Sequence, residues 1–240
     1  MENVSHKVHK DKADFILTLT GPSGSGKTEM IQALKKTGLF EQLVSVTTRP
    51  KRPSEVDGVD YYFLTREEFE AMLVSSQRTY SLVQHVEFKG NYYGTTYLEV
   101  QRVLATGKIP MVVVEPSGVG QFEEAFKDSE YKVVPVFVDA PPKLLVSRYL
   151  DRLAGAVLEK KDVDYHATRL LGIVEESITW HDWVPEPVED EELYEPIRWF
   201  TTIWNGGTMA EFETEINHFV EECLGLKPNQ PTPQDHVSQS

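Results

Sequence analysis

Phe15-Ile16-Leu17-Thr18-Leu19-Thr20-Gly21-Pro22-Ser23-Gly24-Ser25-Gly26-Lys27-Thr28 decides the fold of this chain. Its first six residues are a short apolar run that reads as a buried strand. Gly21 to Thr28 satisfy G-x-x-x-x-G-K-[ST] in full, and the motif stands between a strand and a helix, the context it requires. The helix, Lys27 to Lys36, carries Met30, Ile31 and Leu34 on one face, with Gly38 where a C-cap is expected. Glycines let backbone N–H groups turn inward, and the helix N-terminus adds partial positive charge, so the loop suits a phosphate. Gly21, Ser23, Gly24, Ser25, Gly26, Lys27 and Thr28 are therefore candidate ATP-binding residues. Lys27 would neutralise the β- and γ-phosphates and Thr28 would hold Mg²⁺.

Outward from this unit, Thr65-Arg66-Glu67-Glu68 reads as a capping box leading into Phe69, Met72 and Leu73, and Thr96-Tyr97-Leu98-Glu99 as a second. Met111–Val114 and Val136–Val138 suit buried parallel strands, with Pro135 at the start of the latter. Lys143–Leu153 and Ala167–Trp180 read as helices and Ile197–Trp204 as a last strand. Met209, Phe212, Ile216, Phe219, Val220 and Cys223 stripe a terminal helix closed by Gly225. Strands alternating with helices predict an α/β protein of the P-loop NTPase fold, a parallel sheet flanked by helices. Residues 1–13 and 226–240 read as flexible tails around one domain, 14–225.

Composition narrows the function. Of 240 residues, 24 are Lys or Arg and 38 are Asp or Glu, a formal charge of −14, which disfavours a nucleic-acid polymer as ligand. The acidity is local, however. Phe15 to Thr95 hold nine basic and nine acidic residues, whereas Glu175 to Glu222 hold fourteen acidic residues and only Arg198. A small anionic substrate in a locally basic cleft stays compatible with that distribution. No apolar run approaches the 18 residues of a membrane span, and no secretory signal is read at the start. The single cysteine, Cys223, excludes an internal disulfide framework and fits a reducing cytoplasm; its place on the apolar stripe points to packing.

Two further segments carry chemistry. In Ser45-Val46-Thr47-Thr48-Arg49-Pro50-Lys51-Arg52-Pro53-Ser54-Glu55-Val56-Asp57-Gly58-Val59-Asp60-Tyr61-Tyr62-Phe63, Arg49 and Arg52 stand three apart among hydroxyls, and arginine forks match phosphate oxygens. Gly90-Asn91-Tyr92-Tyr93-Gly94-Thr95 sets two phenols between glycines. The guanine-reading N-K-x-D tetrapeptide of regulatory GTPases is absent.

With its phosphate loop, its S-x-T-T-R-x-x-R-x-x-E-x-x-G-x-D-Y-x-F segment from Ser45 and its G-N-Y-Y-G-[ST] segment from Gly90, the chain resembles the guanylate kinase family over roughly residues 15–222. The resemblance implies ATP- and Mg²⁺-dependent phosphorylation of a nucleoside monophosphate, by a monomer or homodimer, with an acceptor-binding insert at about 45–100, a core at 14–44 and 101–225, and a lid at about 148–169. It places Ser45, Arg49, Arg52, Tyr61 and Tyr93 on the acceptor 5′-phosphate, Thr95 near the base, and Arg148, Arg152 and Arg169 as catalytic lid arginines beside Lys27. A phosphate acceptor needs no general base, which agrees with seven scattered histidines. Catalysis would be positioning and charge neutralisation in a closed, water-poor cleft.

The chain departs from the family in three places. Six residues before Gly90 the family has a glutamate that accepts from guanine, and here stands Gln84; Glu87 would substitute only after a register shift of three. The D-x-D-x-Q-G segment reads Val113-Val114-Glu115-Pro116-Ser117-Gly118, so Glu115 stands for the second aspartate and Val113 replaces the first. The segments 153–168 and 180–202 are longer than usual, the latter with the acidic run Glu189-Asp190-Glu191-Glu192. Guanine donates hydrogen bonds where a carboxylate only accepts them, while an amide offers both kinds. GMP or dGMP is the expected acceptor, with another or a modified base as the alternative. A non-catalytic interaction module of the same fold is a third reading, opposed by the intact Lys27 and Thr28.

Overall fold

The computed structural model of the chain describes residues 14–88, 90–154, 162–180 and 200–227. Strand β1 (Phe15–Thr20) is buried along its whole length. It lies at the centre of a five-stranded sheet in the order β2-β7-β1-β8-β9. It pairs with β7 (Ile109–Val113) on one side and β8 (Lys132–Asp139) on the other, while β2 (Phe40–Gln42) pairs with β7 and β9 (Thr201–Trp204) with β8, and every pairing is parallel. A sheet covered on both faces explains the unbroken apolar run of β1.

Alternate β1 side chains feed two cores. Phe15, Leu17 and Leu19 pack with Met30, Ile31 and Leu34 of α1 (Lys27–Lys36), and with Phe212 and Ile216 of α7 (Met209–His218) and Phe219 and Val220 of the π turn after it. Ile16 faces the other way, toward Val100 and Val103 of α3 (Tyr97–Ala105) and Val119 and Phe122 of α4 (Pro116–Phe126). Each such side chain contributes about 1.5–3 kcal/mol on burial, so both layers clamp the strand from which the phosphate loop springs. A third cluster joins Leu145 and Tyr149 of α5 (Pro142–Leu153) to Ile173 of α6 (Val163–Thr179).

The segment 45–100 forms a second sheet, β4-β3-β6-β5. Strands β3 (Val46–Thr47) and β4 (Tyr62–Phe63) are parallel; β6 (Asn91–Thr96) runs antiparallel to β3 and to β5 (Leu82–Phe88). Helix α2 (Arg66–Leu73) seals it through buried Phe69, whose ring stacks on Tyr92.

Several expectations change. Pro135 lies inside β8, not at its start. Its missing donor falls on the β9 side, where pairing only begins with Phe200 N–H donating to the Pro135 carbonyl, so no ladder bond between named strands is lost. The Thr96 box is half a box: Thr96 Oγ1 accepts from the Glu99 N–H. The Glu99 carboxylate turns instead to the Val44 N–H and to Arg102, a stronger, charge-assisted pairing. Helix α6 begins at Val163, four residues before the expected Ala167. Gly90 has a positive φ at the turn between β5 and β6, and Asn91–Thr96 is strand β6. Met209, in the first turn of α7, is exposed rather than part of the core stripe. Cys223 packs against the first core, which pushes its thiol pKa up. The tail 1–13, residues 155–161 of the expected lid and the acidic run lie outside the described residues, as does all of the second tail after Lys227.

Candidate active site

The C-terminal ends of parallel strands are where α/β sheets bind ligands. The ends of β1 and β7 open on one cleft of about 590 Å³. Gly21, Ser23, Gly24, Gly26, Lys27 and Thr28 line it, together with Ser45, Tyr61, Gln84, Tyr93, Glu115, Arg148, Arg152 and Arg169. Four of the residues singled out from sequence do not line it: Ser25, Arg49, Arg52 and Thr95.

The phosphate loop needs its glycines. Gly21 and Gly26 have φ of 153° and 106°. A Cβ on Gly21 would strike the Val138 carbonyl oxygen, and one on Gly26 the Asn205 side-chain amide. Lys27 Nζ donates to the carbonyls of Gly21 and Pro22 at 2.6 and 2.9 Å, laying its ammonium along the loop. Burial lowers its pKa to about 8; Glu176 opposes the shift, and Arg169 and Arg152 reinforce it. Ser25 Oγ is buried with no partner among the described residues.

On the acceptor side, the two hydroxyls of Thr47 and Thr48 tie β3 to Tyr92 of β6. Arg49 is held bidentately by Glu55, NH1 at 3.1 Å and NH2 at 2.7 Å, and lies 5.6 Å from the Tyr61 ring centre. Glu55 also accepts from the Arg52 N–H at 2.8 Å, while the Arg52 side chain is 70% exposed. Hydrogen bonding from Arg49 holds the Glu55 carboxyl below its ordinary range.

Gln84 is 6% exposed and its Cγ lies against Gly118, where a Cβ would approach it to 3.1 Å. It pairs with Thr95 across β5–β6, and Glu87 pairs with Tyr92. Gln84, not Glu87, therefore lines the cleft in this register. Val113 lies at the cleft end of β7, 38% exposed. Burial raises the Glu115 pKa, Glu176 adds to the rise, and Arg169 offsets it.

The three arginines come from α5 and α6. Arg148 NH1 donates to the Gly24 carbonyl at 3.0 Å, and its NH2 to the Asn205 backbone oxygen and Oδ1 at 3.1 and 3.0 Å. Arg152 sits over the Tyr149 ring. Arg169 donates to Ser23 Oγ at 2.8 Å.

Two residues escaped the sequence reading. Asn205 is 4% exposed; its Nδ2 donates to the Ser25 carbonyl at 2.8 Å, joining β9 to the loop. The only signal was a short amide before Gly206-Gly207 at a strand end. Glu176 lines the cleft from α6, and in sequence it looks like any solvated helix glutamate.

A model of the guanylate kinase family matches residues 15–171. The chain belongs to the guanylate kinase family. It is thus a nucleotide-binding phosphotransferase, a nucleoside monophosphate kinase. The guanylate kinase of Bacillus anthracis is 35% identical over 186 residues, 77% of this chain and 84% of that protein. The guanylate kinase of Streptococcus pyogenes serotype M3 (strain ATCC BAA-595 / MGAS315) is 38% identical over 151 residues, 62% of this chain and 66% of that protein. The crystal structure of guanylate kinase from Anaplasma phagocytophilum superimposes with a TM-score of 0.55 at 22% identity, covering 88% of this chain and 86% of that one, and so shares the fold. Among the described residues of this family member, no helix is long and apolar enough to cross a membrane.

Proposed function

We propose that this kinase transfers the γ-phosphoryl of ATP to a nucleoside 5′-monophosphate, GMP or dGMP first, giving the diphosphate and ADP. One observation carries the reading: the phosphate loop, the acceptor-side residues Ser45, Tyr61, Gln84 and Tyr93, and the three arginines open on a single cleft. Gly21 to Thr28 would hold the triphosphate of ATP.

The residues also fit Mg²⁺. Thr28 brings a hydroxyl, a hard oxygen donor, to the cleft beside Lys27, and this cation is commonly held by few protein oxygens plus substrate phosphates. Thr28 would bind it, and when bound it neutralises charge on the phosphates. Lys27, Arg148, Arg152 and Arg169 supply positive charge around the transferred group, and Arg49 and Arg52, which do not line the cleft, reach the acceptor phosphate once the insert closes. The acceptor is already an anion, so no residue has to remove a proton. The acceptor insert at about 45–100 and the lid at about 148–169 close on both substrates and exclude water. Identical scattering profiles for the free enzyme and a bisubstrate-inhibitor complex would exclude that closure.

Gln84 supports a second reading, in which the acceptor base is not guanine. Its amide offers a donor pair as well as an acceptor, and among the described residues no side-chain hydrogen bond occupies it. Val113 leaves an apolar wall where the family carries an aspartate. One coupled assay decides: ATP and Mg²⁺ with each ribo- and deoxynucleoside monophosphate in turn, following ADP. Fastest turnover on GMP or dGMP supports the first reading, and fastest turnover on another base the second. No turnover on any common or modified monophosphate would remove both.

A further inference from the structure

Helix α6 grips one residue of the phosphate loop with two side chains. Arg169 donates to Ser23 Oγ at 2.8 Å, and the Ser23 N–H donates to Glu176 Oε2 at 2.8 Å. Arg169 and Glu176 are seven residues apart, two helical turns, and so lie on the same face. Their charged ends are 3.9 Å apart, with side chains 34% and 18% exposed. Serine hydroxyl and serine amide are thus held from one rigid element, and the guanidinium cannot drift along the loop without breaking the register that the carboxylate fixes.

Charge explains why a carboxylate stands here. Lys27, Arg152 and Arg169 share one cleft; burial first, and then the charges of Arg169 and Arg152, lower the Lys27 pKa, and Glu176 is the largest influence keeping that ammonium charged. A neutral residue at 176 would leave Glu29 and Glu115 to offset the three cations of the cleft, with neither hydrogen-bonded to Ser23 as Glu176 is. An anion bound to the loop N–H groups would supply that charge from outside, so Glu176 matters least to binding a phosphate and most to where Arg169 sits when it arrives.

We propose that Glu176 is a positioning residue for phosphoryl transfer: its carboxylate charge, fixed at the Ser23 N–H and beside the Arg169 guanidinium, holds Arg169 in register with the phosphate loop. This rests on the kinase reading and on Arg169 acting in it. Misplacing a catalytic group by about 1 Å costs up to about a hundredfold in rate.

The test is a double-mutant cycle on Glu176→Gln and Arg169→Ala, with kcat and the ATP KM measured for all four proteins. Glu176→Gln keeps an acceptor for the Ser23 N–H but loses the charge that holds Arg169. The expected result is a fall in kcat of about tenfold or more, an ATP KM that does not rise, and little further loss when the glutamine is added to Arg169→Ala. A raised ATP KM with kcat kept, or the same fold-loss in both backgrounds, overturns the proposal. If Arg169→Ala itself leaves kcat unchanged, the arginine's assignment fails first, and the two failures are told apart. Glu176→Asp, which keeps the charge but shortens the reach, guards against misfolding: it is expected to retain the wild-type melting temperature and an intermediate kcat, and a wild-type kcat in it would also overturn the proposal.

Discussion

Gln84 stands directly opposite Thr95 across the antiparallel β5–β6 pair, and both are buried. Opposed residues share a sheet face, but of the two only Gln84 lines the cleft. Thr95 Oγ1 has no hydrogen-bond partner among the described residues. A buried amide that lines the cleft with no side-chain hydrogen bond among the described residues is a group a ligand is expected to satisfy.

Gln84→Glu is therefore expected to raise kcat/KM on GMP relative to the other monophosphates. A mismatched buried polar pair costs about 1–3 kcal/mol, tenfold or more in preference. Competition assays with mixed monophosphates read the ratio. An unchanged base profile would mean that position 84 does not read the base.

Lys27 reaches the loop carbonyls of Gly21 and Pro22 from the first turn of α1. Lys27→Ala is expected to lower kcat by about a hundredfold or more, the scale of losing one preorganised charge donor, while the acceptor KM changes little. Steady-state kinetics at saturating ATP give both numbers. Wild-type turnover would remove the phosphate loop from the chemistry.

The parallel core was legible because burial on both faces writes itself into sequence as apolar runs, Phe15–Thr20 and Met111–Val114 among them. The second sheet was not. Strands β3 and β4 are two residues each, too short for a period, and β6 carries Asn91 and Gly94, which argue against a strand locally. The pairing of Thr47 and Thr48 with Tyr92 overrides them. In the cleft, the phosphate-loop residues were found by their spacing, and Ser45, Tyr61, Gln84, Tyr93 and the three arginines by the family resemblance. Asn205 and Glu176 were missed because each acts through contacts about 150 to 180 positions away in sequence, and nothing in their neighbours marks them.

Glu55 holds Arg49 by two hydrogen bonds and is only 13% exposed. Its depressed pKa means that the folded chain binds this proton less readily than the unfolded one. The pair's stabilisation is complete above the unfolded value, about 4.3, and is lost as pH falls through the lower folded value. Glu55→Gln is expected to melt below the wild type at pH 7 and to converge with it in strong acid. The acceptor KM should rise as Arg49 loses its orientation, with kcat less affected. A melting difference that does not narrow with falling pH would assign the loss to packing instead of charge.

Asn205 joins three parts of the site: its backbone N–H donates to Asp139 O, its Nδ2 to Ser25 O, and its Oδ1 accepts from Arg148. Asn205→Ala leaves the Ser25 carbonyl without its partner in a buried place, at about 1–3 kcal/mol, and takes one partner from the part-buried Arg148 guanidinium. Asn205→Asp separates the two losses. It keeps an acceptor for Arg148 but sets a carboxylate against the Ser25 carbonyl, so it is expected to melt at least as low as the alanine variant. If alignment of Arg148 is what turnover needs, the aspartate variant retains more kcat per folded molecule than the alanine variant, despite equal or lower stability. Paired melting and kinetic measurements on both variants read this inversion. Loss of kcat in proportion to loss of stability would reduce Asn205 to a support for the loop.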